Sequence, residues 1–79
     1  MEEELKTIIQ PIIEEEGFQL ENVELGKRED ERAVTVTISG EDLGVDDCAQ
    51  VSKMIDKKVE RQDPFGGESY VLVVTSPGS

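Results

Sequence analysis

The sequence contains no histidine and no tryptophan, and it has a single cysteine, one tyrosine and two phenylalanines. Without histidine it lacks the commonest general base near neutral pH and the commonest transition-metal ligand. Neither Ser52 nor Ser76 stands in a nucleophile-elbow pattern, so no activated serine is expected. Gly66-Gly67 does not make a phosphate loop, because it follows a helical segment and precedes a strand, the reverse of the required order. Asp42, Asp46 and Asp47 lack the alternating ligands, central glycine and terminal glutamate of an EF-hand calcium loop. One cysteine, Cys48, cannot form an internal disulfide, and small secreted domains often need several. Met1 is followed by Glu2, Glu3 and Glu4 rather than by a basic region and an apolar run, and no stretch approaches the length of a membrane span. The reading is a cytoplasmic, non-enzymatic protein with no cofactor and no metal.

Bases are also scarce: eight lysines and arginines stand against nineteen acids, for a net charge of −11. Nucleic-acid binders draw most of their affinity from neutralising phosphates, so bare RNA or DNA should be repelled by the chain as a whole. Long-range attraction to a basic partner is the binding that such a charge favours.

What is present is a single domain over residues 1–79, too short to enclose both a large core and a deep cleft. Apolar residues make up 35% and charged residues 34%, a balance near that of disordered chains, but here the apolar residues fall into periodic blocks. Leu5, Ile8, Ile9, Ile12 and Ile13 form one stripe of an amphipathic helix. Pro11 inside it implies a kink or a frayed first turn, and Gly17 is a natural stop. Phe18 and Leu20 are out of phase with Val23 and Leu25, and a bulge near Glu21–Asn22 would bring all four onto one face of a strand. Val34, Val36 and Ile38 alternate with Thr35, Thr37 and Ser39, the pattern of a half-buried strand that pairs with the first as a hairpin. Val45, Cys48, Val51, Ile55 and Val59 form a second helical stripe, with Asp46 and Asp47 early and Lys57, Lys58 and Arg61 late, complementing the helix dipole. Cys48 is expected as a small buried hydrophobe without chemistry. Asp63-Pro64 ends this helix. Val71–Val74, continuously apolar, reads as a strand buried on both faces or central in the sheet. The expected fold class is α+β: a two-layer α-β-β-α-β arrangement, with two helices on one face of a three-stranded mixed sheet.

One surface feature stands out. Lys53, Lys57 and Arg61 recur every four residues and place a basic row on the second helix of an otherwise acidic chain. The plain explanation is pairing with nearby acids such as Asp56 and Asp63. The functional one is a contact to a partner's phosphates or acidic patch.

The segment from Gly44 to Lys53 (Gly-Val-Asp-Asp-Cys-Ala-Gln-Val-Ser-Lys) resembles the second-helix signature of the bacterial ribosome maturation factor RimP family. So do Asp63-Pro64 with its glycine-containing loop, Tyr70–Val74, and the closing Thr75-Ser76-Pro77-Gly78. Pro11–Glu14, Gly17–Leu20 and Val23–Leu25 agree as well, so the resemblance spans essentially the whole chain. It implies that family's N-terminal domain with the fold derived above. It also implies a non-enzymatic role in maturing the small (30S) ribosomal subunit, by binding the pre-subunit and its ribosomal protein twelve. Gly44 stands where members of the family often cap the helix with Thr or Ser, and glycine is an acceptable cap. Ser76, Pro77 and Gly78 fall where that family continues into a second, SH3-like domain, which makes them the expected interdomain junction. The net acidity favours protein contact over RNA contact by this half, and a monomer is expected.

A second resemblance runs the other way. Glu41–Asp47 (Glu-Asp-Leu-Gly-Val-Asp-Asp) looks like the prosthetic-group site of acyl carrier proteins, which are also small and acidic. Asp47 occupies the place of their attachment serine, and carriers are all helical, whereas three strand blocks are visible here. A generic protein-interaction module is the remaining alternative.

Overall fold

A computed structural model describes residues 2–76. The elements run α1 (Glu2–Glu15), β1 (Gln19–Arg28), β2 (Glu31–Ser39), α2 (Val45–Gln62) and β3 (Tyr70–Thr75). The sheet order is β1-β2-β3, with β1 antiparallel and β3 parallel to the central β2. The strands rule out the helical carrier reading and match the expected α+β architecture.

Helix α1 runs through Pro11, which is exposed. The proline has no N–H for the Thr7 carbonyl, but an outward-facing position leaves that carbonyl to solvent. Leu5, Ile9, Ile12 and Ile13 turn inward and are buried. The helix stops at Gly17, whose φ of 86° lies in the left-handed region. The Gly17 N–H donates to the Glu14 carbonyl at 3.0 Å and the Phe18 N–H to that of Ile13 at 3.0 Å, satisfying carbonyls that the helix would otherwise leave open.

The bulge foreseen in β1 is present. Leu20 pairs with Ile38 and Asn22 with Thr37, so Glu21 is the extra residue. Its carboxylate accepts a hydrogen bond from the Ser39 hydroxyl at 2.7 Å, which pins the irregularity to β2. The bulge re-phases the strand, and Phe18, Leu20, Val23 and Leu25 all pack on the helical side. Glu29 and Asp30 form the two-residue hairpin loop with φ of 51° and 71°, the twist that a tight hairpin of right-handed strands requires.

The core joins Leu5, Ile9 and Ile13 of α1 to Val23, Val34, Val36 and Ile38 of the sheet and Val51 and Ile55 of α2. A β-carbon on Gly40, just beyond β2, would stand 2.5 Å from Cδ1 of Phe18, so the ring closes over a backbone with no side chain.

Three expectations need correction. Strand β3 is neither central nor buried: it is the edge of the sheet, and every residue from Tyr70 to Thr75 is only half-buried. The apolar run is continuous because Leu72 and Val74 pack beneath the helices while Val71 and Val73 alternate onto the open face. Cys48 is half-buried, not buried, and Val45 of the same expected stripe is exposed, because the first turn of α2 lies at the rim of the core.

Candidate functional site

Helix α2 carries the candidate surface. It starts at Gly44, whose N–H donates to the Asp47 carboxylate at 2.9 Å, the reciprocal half of a capping box, with no side chain to supply the other half. It ends at Asp63, in the left-handed conformation at φ 48°, with its N–H bonded to the Val59 carbonyl at 2.7 Å. The Asp63 carboxylate then accepts the Gly67 N–H at 2.7 Å, so one residue both ends the helix and closes the following turn.

Along α2 the apolar stripe, Val51, Ile55 and Val59, is buried, and the charges divide to either side of it. Lys53, Lys57 and Arg61 are all exposed. None of the three makes an ion pair among the described residues, so the pairing with Asp56 or Asp63 that would explain the row away is not formed. Lys57, Lys58 and Arg61, with Met54, line a shallow groove against Ile12 and Glu15 of α1; Lys53 stands one turn earlier and outside it. Long stems over apolar Met54 and Ile12 with charged heads in water are the usual arrangement of lysine and arginine.

The opposite flank of α2 is acidic and meets β3. Tyr70 donates its hydroxyl to Oδ1 of Asp56 at 2.7 Å, and its ring lies 5.3 Å from that of Phe65. Arg32 of β2 lies over the Phe65 ring, 5.3 Å from its centroid, and bonds Glu68 through Nε at 2.7 Å. Glu60, Asp63 and Glu68 rim the depression beside these rings. The sequence reading missed this cluster. Phe65 sits in a segment read only as a turn, yet it is 6% exposed and belongs to the core; an aromatic residue between Pro64 and two glycines was the available signal.

Burial raises the Tyr70 phenol above its ordinary value, and the hydrogen bond to Asp56 and the charges of Asp56 and Glu60 push the same way. A raised folded value means that the neutral phenol stabilises the fold fully at pH below the unfolded tyrosine value of about 10, and that this stability is lost as pH rises beyond it. Tyr70 is the one tyrosine, so phenolate absorbance reads it alone. In the folded chain the phenolate is expected to appear only well above that ordinary value, and Tyr70→Phe should flatten the alkaline loss of stability. Ionisation at the ordinary value in the folded chain would contradict the Asp56 contact.

Ser76 follows β3 beside a depression lined by Leu43, Val45, Cys48 and Val74. The other two expected junction residues, Pro77 and Gly78, lie outside the described residues. Among the described residues, no group of histidine, cysteine or carboxylate side chains is arranged to hold a metal ion, and no helix is long and apolar enough to cross a membrane.

The site is thus a shallow, charge-divided surface on a two-layer α+β domain. Residues 8–79 match the family model described as the RimP N-terminal domain. The chain belongs to the RimP family of ribosome maturation factors.

Proposed function

We propose that the chain acts without catalysis in assembly of the small ribosomal subunit, in the cytoplasm and as a monomer. In this reading it binds the pre-subunit and its basic ribosomal protein twelve. The observation that carries this is a charge of −11 on a RimP N-terminal domain. Attraction between so acidic a domain and a basic protein is long-ranged, whereas free RNA is repelled. The exposed row Lys53, Lys57 and Arg61 makes no ion pair among the described residues, which supports contact with ribosomal RNA phosphate once the acidic faces are held by protein. Residues 76–78 serve in this reading as the junction to a following domain.

The test is a titration of the chain with purified small-subunit protein twelve and, separately, with naked small-subunit RNA across a salt series. Protein twelve should bind, and more weakly as salt rises. Sub-micromolar binding to the naked RNA at physiological salt would overturn the reading.

A further inference from the structure

The two edges of the sheet are built differently. β1 is guarded as exposed edges usually are: it carries Glu21, Glu24, Lys27 and Arg28, and it is broken by the bulge at Glu21. β3 has none of these devices. Tyr-Val-Leu-Val-Val-Thr contains no charge, no proline and no glycine, and it pairs with β2 in unbroken register from Arg32↔Tyr70 to Thr37↔Thr75. Among the described residues no strand pairs with its other side. A regular, uncharged edge of this kind is a template for another strand.

The surroundings of the edge set the chemistry of the occupant. At the start of β3 the depression beside Tyr70 is rimmed by Glu60, Asp63 and Glu68; Glu68 is bonded to Arg32 of β2, while Glu60 and Asp63 make no ion pair among the described residues. At its end Val74 and Thr75 border a depression with Val45 and Cys48, without a base. Val45 is 86% exposed and is the one large hydrophobic left fully open among the described residues. The basic groove of α2, by contrast, opens toward α1. A second copy fits poorly, because each copy carries a charge of −11.

We propose that the free edge of β3 receives an extended, lysine- or arginine-bearing segment of a partner protein as a fourth strand. Backbone hydrogen bonds supply the pairing, Val71, Val73 and Val45 supply apolar contact, and Glu60 and Asp63 select for positive charge. The identity of that partner as a ribosomal protein rests on the function proposed above; the edge and its preference for a basic strand do not.

Hydrogen exchange of the full chain, with two synthetic probes, separates these claims. A peptide alternating lysine and valine should slow exchange within residues 70–75, and one alternating glutamate and valine should not. V71K/V73K places on the edge the charge that natural edges use for protection, and it should weaken binding of the Lys–Val peptide by roughly tenfold or more. V71E/V73E makes the same packing change with the opposite sign and should bind that peptide more tightly than the lysine variant does. No protection of β3 by the Lys–Val peptide, equal binding by the two variants, or dimerisation of the free chain through β3 would each overturn the proposal. If the peptide protects β3 and protein twelve does not, the edge stands and the ribosomal reading fails.

Discussion

Ile55→Ala is expected to lower the melting temperature by roughly 8–40 °C, taking about 4–8 °C per kcal/mol for a domain of this size. Ile55 is 0% exposed at the centre of α2, in one core with residues of α1 and the sheet. Truncating such a side chain removes its transfer free energy and leaves a cavity that tight packing cannot fill, at a cost of about 2–5 kcal/mol. A chain of 79 residues has in total only roughly 4–12 kcal/mol to lose. The variant should therefore be partly unfolded at growth temperature. Val45→Ala, on the same helix but 86% exposed, serves as the control and should change stability by no more than about 0.5 kcal/mol. Circular-dichroism melts of the two variants check this; a shift of only a few degrees for Ile55→Ala would mean that α2 is not part of the core.

The second large effect is on binding. Reversing Lys53, Lys57 and Arg61 to glutamate changes each site by two charges, taking the net charge from −11 to −11 − 6 = −17. The fold should survive, because these side chains are exposed and make no ion pair among the described residues, and exposed charges contribute little to stability. Affinity for the pre-subunit should fall, and the dependence of log affinity on log salt should flatten by about two to three, as expected when up to three phosphate contacts are lost. Equal binding by wild type and the triple variant at several salt concentrations would show the row to be a solvated face.

Much of the fold was legible because its signals were local. The alternation of Val34, Val36 and Ile38 marks one buried face, and the phase break between Leu20 and Val23 could be resolved only by an extra residue, which is Glu21. The stripes of α1 and, from Val51 to Val59, of α2 followed from helical spacing, whereas Val45, assigned to the same stripe, is exposed. What misled was β3. A continuous apolar run implies two covered faces, yet Val71 and Val73 lie on an open one, and nothing local to residues 70–75 says which side of the sheet a strand occupies. The Tyr70–Asp56 bond joins residues fourteen positions apart on different elements, so no spacing rule exposes it. Of the candidate site, the row Lys53, Lys57 and Arg61 was readable from its period. That it makes no ion pair among the described residues was not, since Asp56 lies within reach in sequence but turns to Tyr70 instead.

That division of α2, with bases toward α1 and acids toward β3, lets a domain this acidic expose both signs of charge on one helix. A partner protein held on the acidic side would offset the repulsion that keeps the basic row from RNA.

The most direct measurement is sedimentation of the tagged chain with purified ribosomal particles. The chain should travel with immature small subunits, should not travel with large subunits, and should be released as salt rises. Equal association with large and small subunits, or none with immature small subunits at low salt, would contradict a role in maturing the small subunit.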